Sequence, residues 1–174
     1  MAIEILTTLL LGFIQIAVGF TLSVFSVYFA LRLMDKMTGD IDEWKEMKKG
    51  NIAVGLLFAS VILSVVLIVE PTIVSSIALF SARLTALKFI ATIIFVGVNT
   101  GIAIFFGIMS IYLSIRGLDY LTYDVNEITE LKKGNVAVAL YMSAFVLAVA
   151  IILSGTVTQV VNSLYLVSYL KLMG

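Results

Sequence analysis

Four stretches of this chain contain no charged side chain: Ile5 to Leu31, Ile52 to Val69, Phe89 to Ile115 and Val136 to Leu153. At about 1.5 Å of rise per residue, the two shorter runs, about 18 residues each, just cross a hydrocarbon core of about 30 Å, and the two longer ones tilt or protrude. None alternates in polarity as a membrane barrel strand must. Helices are therefore the form in which this backbone satisfies its own N–H and C=O groups in lipid. With 61% hydrophobic and 13% charged residues, against about 25% charged in an average soluble domain, the chain has more apolar surface than a soluble fold could hide.

The fold class that follows is all-α: a polytopic membrane protein with four transmembrane helices. Its first span is read as retained, because the apolar start is too long for a signal-peptide core and lacks the basic residues that precede one. Cysteine and histidine are absent. That removes disulfides, thiol nucleophiles, imidazole acid–base pairs and the usual zinc and haem ligands. No phosphate-binding glycine loop is present either, so no catalytic residue, cofactor or metal centre is assigned and the chain reads as a non-enzyme. A formal net charge of zero provides no field that would draw nucleic acid.

The polar connections are Arg32 to Gly50 and Arg116 to Gly134, and they hold eight of the 11 basic residues. Positive charge collects on the cytoplasmic side of plasma-membrane proteins, so both connections are expected there and both termini outside.

An 84-residue shift, the distance from Tyr28 to Tyr112, aligns the chain on itself without a gap. Arg32, Asp35, Asp40, Glu43 and Glu46 fall on Arg116, Asp119, Asp124, Glu127 and Glu130, and Lys48-Lys49-Gly50-Asn51 falls on Lys132-Lys133-Gly134-Asn135. The chain thus reads as two copies of a two-helix unit, residues 1–88 and 89–174. An even number of spans per copy makes the repeat parallel, with a pseudo-twofold axis along the membrane normal.

The motif Tyr-x3-Arg-x2-Asp, Asp-x2-Glu-x2-Glu, Lys-Lys-Gly-Asn-x-Ala-Val, present twice, resembles the YjfL-like family of uncharacterised small membrane proteins, whose members carry the two-helix unit in tandem. The resemblance covers most of the chain. It implies a polytopic inner-membrane protein, with some relatives encoded beside phage-shock-type envelope-stress proteins, and it implies no reaction or substrate.

Three groups of residues are candidates for function or packing. Asp40 and Asp124, each three residues before a glutamate, have the spacing of an N-cap with a capping box, so a helix is expected to begin there and enter the membrane through Gly50 and Gly134. Alternatively Asp35, Asp40, Glu43, Glu46, Asp119, Asp124, Glu127 and Glu130 form an acidic vestibule that attracts cations or docks a cytoplasmic partner. Gly50 and Gly134 read as close helix crossings, and Asn51 and Asn135 as amides bonding to a neighbouring helix or to Arg32 and Arg116, or else lining a constriction.

Gln15 and Asn99 are repeat mates near mid-span, where amides need partners or mark a path. Gly97 and Gly101 form a GxxxG element suited to close packing, in cis or against another subunit. Beyond Glu70-Pro71, the segment 72–88 places Ile73, Ile77, Phe80, Leu84 and Leu87 on one stripe and Thr72, Ser76 and Arg83 opposite, as an outer-side amphipathic helix lying on the bilayer would. The segment 156–171 reads the same way, with Thr158, Gln159 and Asn162 as its polar stripe. Two functions compete: a self-associating structural or assembly protein of the membrane, and a small channel or transporter with an amide-lined path.

Overall fold

The computed structural model describes residues 2–37, 42–77, 85–122 and 126–173, with side chains described over a slightly smaller set. All elements among these are helical. The long helices are α1 (Ala2–Met37), α3 (Ile52–Ile77), α4 (Ala86–Leu121) and α6 (Val136–Met173), and two single-turn-scale helices, α2 (Glu43–Lys48) and α5 (Glu127–Lys132), precede α3 and α6. All four long helices contain stretches apolar and long enough to cross a membrane. Because an isolated apolar helix in lipid gains little from burying more apolar surface, contact is decided by how closely faces fit.

The most extensive interface joins the repeat mates α3 and α6. On α3, Ala53, Leu57, Val61, Val65 and Ile68 are buried at 0–3% exposure, and on α6 Ala139, Met142, Val146 and Ala150 are fully buried. These positions recur at three- and four-residue intervals, one stripe on each helix. Gly107 of α4 comes within 3.7 Å of the Ile68 side chain, measured from where its Cβ would stand. A small residue there seats α4 against α3.

The twofold relation is expressed at the centre and broken at the periphery. α1 packs on α3 as α4 packs on α6, but α4 also packs on α3, and no comparable interface joins α6 to α1 among the described residues. α1 is accordingly the least enclosed span, and none of its most apolar window is buried. Its exposed Phe13, Ile16, Phe20 and Phe25 form a lipid-facing surface.

Two expectations are corrected. α3 does not end before Pro71 but runs through it to Ile77. A proline removes one N–H from the ladder, the donor to the Leu67 carbonyl, and costs that single bond; ending the helix in lipid would expose several unsatisfied groups instead. The polar stripe of 72–88 also faces the opposite way. Thr72 and Ser76 are 0% and 2% exposed, inside the bundle rather than toward headgroups. Residues 78–84, with Phe80, Arg83 and Leu84, lie outside the described residues, and 86–88 open α4. Likewise 156–171 is no separate element but part of α6, with Val157 and Val161 buried and Gln159 and Asn162 exposed.

Candidate functional site

The repeated motif builds the same turn twice at one end of the bundle. α2 begins at Asp42, whose side chain accepts a hydrogen bond from the Lys45 N–H at 3.0 Å, and α5 begins at its repeat mate Asn126, which accepts from the Thr129 N–H at 2.9 Å. The caps are therefore Asp42 and Asn126, two residues after the expected Asp40 and Asp124, which lie outside the described residues. Aspartate and asparagine are interchangeable as N-caps, and that shared role was the overlooked signal.

Each short helix stops at once, so no continuous helix runs through the glycine into the membrane. Gly50 N–H donates to the Met47 carbonyl and Asn51 N–H to the Glu46 carbonyl, both at 3.0 Å; Gly134 to Leu131 and Asn135 to Glu130 repeat the pair at the same distance. This is a Schellman C-cap, which requires the left-handed backbone that glycine adopts without strain. Gly50 and Gly134 have φ of 81° and 79°. They are turn residues, not helix crossings.

Asn51 and Asn135 then start the membrane helices. Asn51 Oδ1 accepts from the Val54 N–H at 3.3 Å, and Asn135 Oδ1 from the Ala137 and Val138 N–H groups at 3.2 and 3.4 Å. Their amide nitrogens reach back to the preceding helix: Asn51 Nδ2 donates to Glu46 Oε2 at 3.2 Å and Asn135 Nδ2 to Glu130 Oε2 at 2.8 Å. The other carboxylate oxygen takes a lysine, Lys49 at 2.6 Å and Lys133 at 2.7 Å. Glu46 and Glu130 thus clasp a lysine and an asparagine across the turn. Arg32 and Arg116 sit over the rings of Tyr28 and Tyr112, 6.0 and 5.9 Å from the centroids, which accounts for the Tyr-x3-Arg spacing.

One bond distinguishes the copies. Asn51 Nδ2 also donates to the Leu131 carbonyl of the second copy at 2.9 Å, whereas Asn135 makes no bond to the first copy among the described residues. The start of α3 is thereby tied to α5, the short helix that precedes α6, at the same end of the bundle, as a parallel repeat requires.

Of the eight candidate acidic residues, only Glu43, Glu46, Glu127 and Glu130 have described side chains, and two of these are buried rather than open. Glu43 and Glu127 are 4% and 3% exposed, and Glu127 accepts a hydrogen bond from Thr122 Oγ1. The side chains of Asp35 and Asp119, in the last turns of α1 and α4, are outside the described set. Among the described residues, the exposed charged side chains of the two turns are mostly basic, Lys45, Lys48, Lys49, Lys132 and Lys133 against Asp42, and Trp44 is exposed beside them. No group of carboxylates able to hold a metal ion occurs among the described residues.

Hydrogen bonds from Lys49 and then Asn51 hold the Glu46 carboxyl below its ordinary value of 4.5, and bonds from Asn135 and then Lys133 do the same for Glu130. A depressed carboxyl contributes stability that is complete above its unfolded value and is lost as pH falls through the folded one. The turns should therefore loosen below about pH 4.5. Amide exchange at Asn51 and Asn135 is expected to accelerate as pH is lowered, after correction for intrinsic rates, and the acceleration should be absent in Glu46→Gln plus Glu130→Gln.

The remaining candidates separate. Gln15 Nε2 donates to the Ile77 carbonyl at 3.4 Å, in a groove between α1 and α3. Its repeat mate Asn99 is 2% exposed inside the bundle. Glu70, which the reading of Pro71 as a helix end had placed outside the span, lines the same groove as Gln15. Gly97 and Gly101 lie on the exposed face of α4, and a Cβ at either would meet nothing within 4 Å. Among the described residues they pack against no other helix.

The doubled turn, conserved in geometry between the copies, has a counterpart in a described family. The Domain of Unknown Function DUF350 matches residues 8–105 and again residues 94–174. The chain belongs to the DUF350 family. The two DUF350 matches overlap at residues 94–105 and each takes in one of the two turns, so an uncharacterised domain is present in tandem. No curated protein and no solved structure matches the chain.

Proposed function

We propose that this tandem DUF350 protein is a self-associating structural or assembly component of the plasma membrane, with the turn-bearing end in the cytoplasm. The observation that carries this reading is the outward GxxxG element. Gly97 and Gly101 leave a shallow strip on α4, flanked by the exposed Ile94, Val98 and Phe105, and small residues are what allow two helices in lipid to approach closely. At the cytoplasmic end, the fixed turns present a basic, Trp44-bearing face suited to anionic headgroups or an acidic partner protein. The likeness to YjfL-like proteins, some encoded beside envelope-stress genes, fits such a role.

Native mass spectrometry or crosslinking in lipid nanodiscs tests it. Gly97→Leu plus Gly101→Leu is expected to weaken self-association at least about tenfold, a loss of about 1.4 kcal/mol, while the monomer stays folded. A wild-type chain that is monomeric at every protein-to-lipid ratio removes the proposal.

A second reading, a small channel or transporter, is favoured by the buried polar side chains. Ser64, Thr72, Ser76, Thr100, Ser110 and Ser143 have hydroxyls without a hydrogen-bond partner inside the bundle, where such groups are costly unless water or a solute visits them. Liposomes should then conduct protons, monovalent ions or small solutes, and Ser64→Ala plus Ser110→Ala should lower that flux severalfold. Wild-type liposomes as tight as empty ones rule the second reading out.

A further inference from the structure

Glu70 is a carboxylate inside a membrane-spanning helix. Eighteen residues after Ile52, it stands about 27 Å along α3, at the far edge of a hydrocarbon core of about 30 Å. Its side chain is exposed there, and an ionisable residue within a membrane-spanning helix is by default a candidate functional position. Snorkelling to the headgroups would be the simple explanation for a lone glutamate, but Glu70 borders a groove of about 460 Å³ formed with α1.

The two sequence copies differ at this groove in a directed way. Gly12 and Gly19 line it, and their repeat mates are Val96 and Ala103, buried at 2% and 0%. Glu70 itself has Ser154 as its mate. Relative to the second copy, the first has less bulk on α1 and a charge on α3 in the same place. A Cβ on Gly19 would stand 2.8 Å from Ile77 Cδ1, so the glycine also permits the helix approach that closes one end.

We propose that this groove binds a primary ammonium group carried on a short aliphatic body. The sign follows from Glu70, since none of the other eight lining residues is charged. Antiparallel packing, fixed by the approach of Gln15 and Gly19 to Ile77, puts Ser23 near the level of Glu70. Ser23 Oγ directs its proton to the Gly19 carbonyl at 2.8 Å, which leaves the oxygen as an acceptor. The body follows from the walls, Ile16, Ile73, Val74 and Ile77, which are aliphatic. The volume exceeds the share of about 30 Å³ that a water takes and lies in the range of about 300–1,000 Å³ usual for small organic ligands. Such a group can come from a free alkylamine or from the headgroup of an aminophospholipid, whose acyl chains would stay in the bilayer outside the groove.

The test is thermal unfolding of the full chain in phosphatidylglycerol nanodiscs titrated with hexylamine, with hexanol and hexyl sulfate as controls. Hexylamine should raise the midpoint by about 3 °C or more. Neither control should do so, and both Glu70→Gln and Gly12→Leu should abolish the shift. Gly12 has nothing within 4 Å of its Cβ position, so a side chain can start there without a clash, and leucine serves if the glutamine variant does not fold. In a second arm without hexylamine, nanodiscs containing phosphatidylethanolamine are compared with nanodiscs containing phosphatidylcholine, the remaining lipid being phosphatidylglycerol in both. A Glu70-dependent rise there identifies the lipid headgroup as the source, and a rise with hexylamine alone identifies the free amine. Equal shifts in wild type and either variant, equal shifts with hexanol, or no shift in either arm would overturn the proposal.

Discussion

Asn51→Leu is expected to destabilise the protein by about 2–3 kcal/mol, against about 1–2 kcal/mol for Asn135→Leu. Both substitutions remove an N-cap from a membrane helix, worth about 1 kcal/mol, and leave a carboxylate short of one donor. The Glu46 and Glu130 carboxylates are partly solvated, so water replaces much of that lost bond. Only Asn51 also supplies the Leu131 carbonyl of the other copy, at 2.9 Å and partly buried. Removing that donor should add about 1 kcal/mol and loosen the junction between copies. Unfolding by sodium dodecyl sulfate in mixed micelles measures both variants under one condition. Equal losses at the two positions would show that the bond between copies contributes nothing.

Gly50→Val and Gly134→Val should each cost about 3 kcal/mol, the largest effect available from a single exposed turn. An ordinary L-residue pays about 1–2 kcal/mol for the left-handed region, and a β-branched one is more strongly excluded from it. Escape to another conformation gives up both Schellman bonds and misdirects the asparagine that follows. Glycine to asparagine should recover much of the loss, because asparagine tolerates this region best among the other residues. The same micelle unfolding experiment reads out the series. A valine variant as stable as wild type would mean that the positive φ values of 81° and 79° are dispensable.

The turns show how far local sequence reaches. Lys-Lys-Gly-Asn, present twice, marks a boundary, and glycine next to asparagine at such a boundary is a stop followed by a cap. The helix cost of glycine suggests a crossing at Gly50, but its value just past a C-terminus decides its place. The N-cap is a similar case: Asp40 and Glu43 satisfy the capping-box spacing, yet Asp42 makes the bond. Two carboxylates two residues apart compete for one role, and spacing alone does not rank them.

Pro71 and the Thr72–Ser76 stripe illustrate the converse. Proline usually ends helices in water, and threonine and serine usually face it, but inside a membrane protein the bundle interior is the place where hydroxyls avoid lipid. Periodicity identified the stripe and could not say which side was inside. Gln15 and Asn99 are equivalent by repeat and inequivalent by location, because α4 packs on both α3 and α6 while α1 packs mainly on α3.

The sequence by itself determined the class, the four spans, the tandem repeat and the positions of the connections, because these follow from uncharged length and from internal identity. Only the tertiary structure decided which carboxylates are buried, which glycines turn and which pack, and that Glu70 faces a groove. Those properties depend on how helices meet. Lipid is as apolar as the side chains it touches, so hydrophobicity along the chain carries little information about which face of a membrane helix finds a partner.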